Sequence, residues 1–209
     1  MMFKDRKEAG SLLAHELIQY RSKNAVVLAL PRGGVPVAFE IAKKLKLPLD
    51  IFPVRKVGHP DNPEYALCAV DQDGNTLCNE EEIANVEPVW LKKEIEEQRQ
   101  EALRRAGLYR GNKKSLNLSG KIVILVDDGV ATGLTLRLAV KSLRRKGPGK
   151  IIVAVPISPK ETADILKAEV DKLIVLEIPE YFTGSVGAYY ESFSQVSDDE
   201  VISLITAAI

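Results

Sequence analysis

Short apolar segments alternate with amphipathic segments along most of this chain. The apolar segments have the length and composition of buried strands, and they lie at residues 25–30, 49–55, 121–127, 151–156 and 172–178. Apolar residues at helical spacing occupy intervening stretches, such as residues 5–20 and the stretch from Val37 to Leu45. Strands that alternate with helices indicate an α/β fold of three layers, in which a mostly parallel sheet carries helices on both faces. Ligands of such folds bind beyond the carboxyl ends of the strands.

Polar and proline residues predict where several of these elements begin. Asp5 is placed to cap the first helix, and Ser197 is placed to cap the last one. Ser158 begins a capping-box pattern in which Pro159 would take the first helical position. Pro53 cannot donate a hydrogen bond to a neighbouring strand, so the strand at 49–55 is expected toward an edge of the sheet.

A more polar stretch interrupts the alternation in the middle of the chain. Residues 56–64 are dense in turn formers, which predicts a mobile loop, and the runs that flank residues 73–75 predict a hairpin. A long charged helix is expected over residues 88–109. We therefore predict one domain over residues 1–209, with a hairpin and a helix inserted at about residues 71–115.

The charge balance limits the classes of partner. Lysine and arginine together number 29, as do aspartate and glutamate, so the chain lacks the positive excess that draws proteins to nucleic acid or anionic membranes. No apolar run approaches the roughly 20 residues that span a bilayer, and the N-terminus does not resemble a signal peptide, so we expect a cytoplasmic location. Small-molecule substrates are the expected partners, with no nucleic acid and no membrane, and homodimer assembly stays open.

The two cysteines of the chain give little information about the fold or the function. Cys68 and Cys78 have neither CxxC nor zinc-site spacing, and two cysteines cannot make a disulfide framework. This usage is consistent with a reducing compartment.

Two adjacent carboxylates follow the apolar run that ends at Val126. Asp127 and Asp128 lead into a turn rich in glycine and threonine at the start of a helix. Backbone amides at a helix N-terminus bind phosphate well, so the candidate phosphate ligands are Ala131, Thr132, Gly133, Leu134 and Thr135. Carboxylates so close to a phosphate would repel it unless hydroxyl groups or a divalent cation lay between them. A ribose 5-phosphate with magnesium nearby meets both demands; in the simpler alternative, the carboxylates cap the turn.

A second glycine-rich turn follows the strand at 25–30. Its Gly33 and Gly34 would let the backbone approach a pyrophosphate, while Arg32 would supply a fork of donors. Without the motif further along the chain, a plain helix start with a surface arginine would be the better interpretation. Arg55 and Lys56 lie at a strand end, where they could neutralise a diphosphate or be solvated surface cations.

The histidines and several aromatic residues are assigned no definite role. His59 lies in the predicted loop and His15 on the polar side of the first helix, and neither is assigned to catalysis. Aromatic residues could stack on an acceptor base, although they more often pack in a core or an interface: Tyr65, Phe182, Tyr189 and Tyr190. Motifs of nucleotide triphosphatases, dinucleotide oxidoreductases, zinc proteases and serine hydrolases are missing from the sequence.

Several strings resemble the type I phosphoribosyltransferases. VILVDDGVATGLT, at residues 123–135, resembles the family's motif for phosphoribosyl pyrophosphate (PRPP), and departs from it at Gly129, where the family usually has an apolar residue. Residues 27–45, VLALPRGGVPVAFEIAKKL, resemble the first strand, pyrophosphate loop and first helix. Residues 55–70 and 186–201 are similar to a subgroup of hypothetical phosphoribosyltransferases.

The resemblance implies a PRPP-dependent phosphoribosyltransferase, a glycosyltransferase of nucleotide metabolism that uses magnesium. It would transfer the 5-phosphoribosyl group to a nitrogen acceptor, in the first instance a nucleobase, and release pyrophosphate through an oxocarbenium-like state. The acceptor itself is not identified by these motifs. Two alternatives remain open: a non-catalytic PRPP or nucleotide sensor on the same fold, and an interaction module that acts through the helix at 88–109.

The resemblance also implies a role for each candidate residue. Asp127 and Asp128 would hold the ribose hydroxyls and the magnesium, and residues 131–135 would bind the 5-phosphate. The departing diphosphate would be stabilised by the residues that can approach or neutralise it, namely Arg32, Gly33, Gly34, Arg55 and Lys56, of which Lys56 is also counted as catalytic. Closure of the loop at 56–64 would exclude water from the reaction.

Overall fold

The computed structural model describes residues 2–208, with Glu64 represented by its backbone. Its helices and strands follow one another as α1 (Arg6–Glu16), β1 (Ala25–Ala29), α2 (Gly34–Leu45), β2 (Leu49–Ile51), β3 (Val54–His59), β4 (Asn62–Asp71), β5 (Thr76–Cys78), α3 (Glu80–Ile83), α4 (Pro88–Arg110), β6 (Ile122–Val126), α5 (Leu134–Arg144), β7 (Lys150–Ile157), α6 (Lys160–Glu169), β8 (Lys172–Glu177) and α7 (Asp198–Ala207). Short 3-10 helices lie at Ile18–Tyr20 and Val186–Tyr189.

The main sheet is parallel, with the strand order β2-β1-β6-β7-β8. One face is covered by α1, α2 and α7, which contribute Leu13, Ile41 and Val201 to one apolar cluster. The other face is covered by α5 and α6, which contribute Leu136 and Leu166 to a second cluster. Strands such as β6 are almost wholly apolar because they are covered on both sides. The predicted α/β fold with helices on both faces is confirmed.

A second, antiparallel sheet consists of β3, β4 and β5. The long helix α4 packs on it, with Ile95 against a buried cluster that contains Leu67 and Val70. The hairpin predicted around residues 73–75 is present as the turn between β4 and β5. The segment outside the main sheet begins at Val54, earlier than the residue 71 expected from the sequence. None of the helices between residues 2 and 208 is both long and apolar enough to cross a bilayer.

The prediction of a mobile loop over residues 56–64 was wrong. Most of these residues belong to β3 and β4, which pair across a turn at Pro60 and Asp61. A Cβ at Gly58 would lie 2.8 Å from the carbonyl carbon of Pro63, so the glycine allows two strands to approach closely there. The turn formers therefore mark the end of a hairpin, and the strand pairing removes the basis for a loop that closes over the site.

Some of the element boundaries predicted from the sequence agree with the structure. Asp5 and Ser197 cap α1 and α7 as predicted, each accepting a hydrogen bond from a backbone N–H of the first turn. The expected strand at 49–55 is interrupted at Pro53, which leaves β2 at the edge of the main sheet. The expected capping box at Ser158 was wrong, because Pro159 itself takes the N-cap position and the Ser158 hydroxyl donates to the Pro159 carbonyl.

Cys68 and Cys78 are joined by a disulfide that was not predicted from the sequence. The two residues lie opposite each other on β4 and β5, with their Cα atoms 4.0 Å apart. The hairpin brings together cysteines that are 10 residues apart in the chain. Their spacing alone gave no sign of this pairing.

Candidate functional site

The candidate site lies at the carboxyl edge of the main sheet. β1 and β6 are parallel neighbours, so the turn after β1 and the carboxylates after β6 emerge at the same edge. The N–H of Leu30 donates to the carbonyl of Val126 at 2.9 Å and continues the ladder beyond the end of β1. Residues 31–34, here called the PRGG turn, therefore lie beside Asp127 and Asp128, here called the acidic pair.

Two glycines let the PRGG turn contact the acidic pair. A Cβ at Gly33 would overlap Oδ2 of Asp128 and lie 2.6 Å from its Cγ. A Cβ at Gly34 would lie 2.8 Å from the carbonyl oxygen of Val126 and 2.9 Å from the Cα of Asp127. Gly33 has φ −59°, which any residue can adopt, so its small size is what the structure requires. The peptide bond between Pro31 and Arg32 is cis.

The acidic pair is held in a low-dielectric setting. The backbone N–H of Asp128 donates to Oδ1 of Asp127 at 2.9 Å. Burial, followed by the neighbouring carboxylate of Asp128, raises the pKa of Asp127 well above its usual range. Burial also raises the pKa of Asp128, although Arg6 opposes that shift. Two carboxylates in such a position favour a cation or hydroxyl donors between them and the rest of the site.

Arg6 and Tyr190 hold the acidic pair in place, and neither residue was predicted from the sequence to contact it. Arg6 Nε donates to Asp128 Oδ2 at 2.8 Å, Arg6 Nη1 donates to the Ser194 carbonyl at 2.7 Å, and the guanidinium lies 3.8 Å from the ring centroid of Phe193. The buried Tyr190 hydroxyl donates to the backbone carbonyl of Asp128 at 2.6 Å. Burial raises the pKa of Tyr190, which keeps that hydroxyl protonated.

The turn at residues 131–135, here called the phosphate loop, begins α5 as predicted. Gly133 is the N-cap with φ 78°, and it makes no side-chain cap hydrogen bond. A Cβ at Gly133 would also lie 2.7 Å from Thr162 Cγ2, so glycine is needed there for two reasons. The Thr162 hydroxyl donates to the Ala131 carbonyl at 2.7 Å and fixes the loop to α6.

Two clefts adjoin the segment that follows β6: Asp128 lines one, Gly129 lines the other, and both have Phe193 in their walls. The larger one, here called the loop cleft, has a volume of ≈ 670 Å³ and is lined by Lys56, the phosphate loop and residues 184–187. The other, here called the arginine cleft, has a volume of ≈ 470 Å³, and its charged lining residues are Arg6, Arg32, Arg55, Arg105 and Asp128. Arg55 and Lys56, adjacent in β3, therefore serve different clefts.

The remaining candidates lie elsewhere or have other contacts. The Tyr65 hydroxyl donates to Glu82 at 2.6 Å, and Phe182 stacks on Tyr189 with ring centroids 5.5 Å apart. His59 Nδ1 accepts from the backbone N–H of Asp61 in the hairpin turn. Neither His59 nor His15 lines the two clefts.

A metal at this site would depend on ligands from outside the chain. Among residues 2–208, no three or more His, Cys, Asp or Glu side chains are grouped to hold a metal ion. The acidic pair offers two carboxylates, and magnesium in proteins often takes one or two carboxylates together with substrate phosphates and water. The donor set of the acidic pair therefore fits a magnesium ion that arrives with a phosphorylated ligand.

Comparison with known proteins identifies similar chains. The model of the phosphoribosyl transferase domain matches residues 4–191. Two Mycobacterium tuberculosis proteins, named "Putative phosphoribosyl transferase MT0597" (strain CDC 1551) and "Putative phosphoribosyl transferase Rv0571c" (strain H37Rv), are each 40% identical over 209 residues. The match covers 99% of this chain and 47% of each relative, so the chain spans about half the length of these curated relatives. The crystal structure of TT1426 from Thermus thermophilus is 40% identical, with 99% of both chains covered and a TM-score of 0.81.

Proposed function

The chain belongs to the phosphoribosyl transferase domain family, and from that premise we propose that it binds PRPP with magnesium and transfers the 5-phosphoribosyl group to a nitrogen acceptor. The observation that carries this proposal is the contact between the PRGG turn and the acidic pair. Gly33 and Gly34 let the turn reach Asp127 and Asp128, and the phosphate loop follows in the same segment. Candidate sites for diphosphate, ribose and 5-phosphate thus adjoin one another.

Each part of PRPP has a matching group in this arrangement. The 5-phosphate would bind at the phosphate loop, where the first amides of α5 and the hydroxyls of Thr132 and Thr135 are donors. The ribose hydroxyls would donate to the acidic pair. The diphosphate would extend into the arginine cleft toward Arg32 and Arg55. Lys56 lines the loop cleft, beside the phosphate loop, and could meet charge on the ribose side.

The reaction is a displacement at the anomeric carbon. The bond from that carbon to the diphosphate oxygen breaks as the acceptor nitrogen bonds to the carbon, and the ring carries positive charge in between. Carboxylates of the acidic pair, held beside the ribose, would stabilise that charge, and the guanidiniums of Arg32 and Arg55 would stabilise the diphosphate as it leaves. Magnesium, when bound, would neutralise further negative charge on the diphosphate and orient it.

The two carboxylates are not equivalent in this proposal. Asp128 is paired with Arg6, and the two side chains are 15% and 11% exposed, so part of its charge is already compensated. Asp127 has no ion pair in the described part of the chain. Asp127 would therefore be the carboxylate more available to a ribose hydroxyl or to magnesium, while Arg6 would keep Asp128 in position.

A planar nitrogen acceptor, such as a nucleobase, suits the loop cleft. Val130, Val186 and Phe193 supply apolar surface in its lining, beside the loop that would hold the ribose phosphate. Apolar walls with few polar groups bind flat heterocycles well and keep water from the reacting carbon.

The test is a search for acceptor-dependent turnover. The protein is incubated with PRPP, magnesium chloride and members of a nucleobase library, and pyrophosphate release is measured, with Asp127→Asn as the inactive control. Release that depends on one base and on Asp127 supports a transferase. Tight PRPP binding without release for any base would favour the sensor of the same fold. Absence of binding to both PRPP and ribose 5-phosphate would refute the proposed site.

A further inference from the structure

The arginine cleft concentrates positive charge in a chain whose net charge is zero. Four guanidiniums line it, with Asp128 as the carboxylate among its lining residues. Asp128 is engaged by Arg6 at 2.8 Å, and Arg32 lies 3.4 Å from an oxygen of Asp198. Like charges that are held close together repel one another, so the arrangement favours a bound anion.

Arg105 of α4 is the most buried of these arginines and is held by Glu101. Its side chain is 9% exposed, and its Nε donates to Glu101 Oε1 at 2.7 Å, about one turn earlier in the helix. The remaining N–H groups of this guanidinium have no hydrogen-bond partner in residues 2–208. These nitrogens are not among the buried unpaired side-chain atoms of the described residues, so they are open to solvent in the cleft. A guanidinium fork placed in this way suits an oxyanion. Arg105 is therefore prepared for a ligand in the cleft.

The same helix also orients Arg55. Arg55 Nε donates to Gln98 Oε1 at 3.0 Å, and the Gln98 amide donates to Glu94 at 2.9 Å. Gln98 and Glu101 are three residues apart in α4, so both point toward one side of the helix. Burial, followed by the charge of Arg105, lowers the pKa of Arg55, which agrees with two guanidiniums held near each other.

We propose that Arg105 is a further diphosphate-binding residue and that it binds the diphosphate of PRPP together with Arg55 and Arg32. This inference rests on the proposed function, because it assigns the arginine cleft to the leaving group of that reaction. Glu101 is then a positioning residue, since it holds the Arg105 guanidinium by Nε and leaves the outer nitrogens for the ligand. The segment outside the main sheet thereby gains a role: it supplies both Arg55 and Arg105.

A diphosphate fits this cleft better than a single phosphate does. Arg32, Arg55 and Arg105 present three guanidinium forks in one cleft, and a diphosphate has more oxygens than a single phosphate with which to accept from them. The phosphate loop, which offers backbone amides and hydroxyls with few cations, suits the 5-phosphate instead. The two kinds of phosphate are thus separated by the chemistry of their clefts.

The experiment compares two ligands on matched variants. Calorimetry measures the affinity of the protein for inorganic pyrophosphate with magnesium chloride, and separately for ribose 5-phosphate. The variants are Arg105→Gln and, as a control on the same helix, Lys93→Gln, whose side chain is 77% exposed. We expect Arg105→Gln to weaken pyrophosphate binding about tenfold or more, and both variants to leave ribose 5-phosphate binding within about twofold.

Removal of Arg105 alone would leave Glu101 paired with the more exposed Arg104 only. The double variant Glu101→Gln/Arg105→Met removes both charges, so it serves as a second test if the single variant does not fold. It is expected to show the same selective loss of pyrophosphate affinity, with circular dichroism unchanged.

The outcomes separate this inference from the proposed function. Unchanged pyrophosphate affinity in a folded Arg105 variant, or an equal loss for both ligands, overturns the role of Arg105 and leaves the proposed function standing. Failure of the unaltered protein to bind pyrophosphate also overturns it. Pyrophosphate binding that depends on Arg105, in a protein that binds neither PRPP nor ribose 5-phosphate, supports the anion site and refutes the proposed function.

Discussion

Substitution of Gly33 by alanine isolates the contact between the PRGG turn and the acidic pair. Gly33 has φ −59° and ψ −35°, so alanine is compatible with its backbone. The three atoms nearest to an added Cβ belong to the Asp128 side chain: the Cβ would overlap Oδ2, and lie 2.6 Å from Cγ and 3.0 Å from Oδ1. The effect of the substitution therefore depends on whether Asp128 can move away.

The expected cost follows from the bond that Asp128 must give up. If its carboxylate turns away, the 2.8 Å hydrogen bond from Arg6 Nε is lost, which costs about 1.5–3 kcal/mol for a charged pair. Alanine in place of glycine at a compatible backbone conformation stabilises the folded state by about 0.5–1 kcal/mol. The net loss in the free energy of unfolding should be about 1–2 kcal/mol.

Urea unfolding of a double-mutant cycle with Asp128→Ala measures this contact directly. In the Asp128→Ala background the obstructing atoms are gone, so Gly33→Ala should become neutral or stabilising by about 0.5–1 kcal/mol. Gly107→Ala is the control. Gly107 lies in the exposed part of α4, where an added Cβ would have no neighbouring atom within 4 Å, so alanine should raise the free energy of unfolding. An equal loss from Gly33→Ala in both backgrounds would refute the reasoning.

Three further substitutions test the site. Burial and the charge of Asp128 raise the pKa of Asp127 in the folded protein. The protonated carboxyl therefore stabilises the fold fully below the unfolded pKa of about 3.9, and this stabilisation is lost as pH rises through the folded pKa. Asp127→Asn should therefore raise the free energy of unfolding at pH 7 by about 1–2 kcal/mol and show a flatter pH profile in urea titrations; lower stability at pH 7 would contradict this. Tyr190→Phe leaves the Asp128 carbonyl without its 2.6 Å donor and should lower stability by about 1 kcal/mol, again in urea, whereas no change would mean that water replaces the hydroxyl. Thr135→Val should weaken ribose 5-phosphate binding in calorimetry by about 1 kcal/mol, and equal affinity would remove Thr135 from the phosphate loop's donors.

The pattern of residues along the chain determined the architecture. Apolar runs such as the one ending at Val126 predict strands covered on both sides, and the helical periodicity between them predicts the two outer layers. Asp5 and Ser197 acted as caps because a cap is satisfied by amides two or three residues away. The acidic pair and the phosphate loop could also be located from the sequence, since both lie in one short segment that joins a strand to a helix.

Tertiary structure decided which distant side chains meet those segments. Arg6 reaches Asp128 across 122 positions of the chain, and Arg105 lines the same cleft as Arg32. The local sequence around Arg6 or Arg105 does not distinguish either residue from a solvated surface arginine. Strand pairing likewise overrode the turn formers at residues 56–64, because a ladder of backbone hydrogen bonds satisfies more groups than an isolated loop would. Local sequence fixes φ, ψ and the burial pattern over a few residues, whereas the position of a guanidinium depends on how whole layers pack.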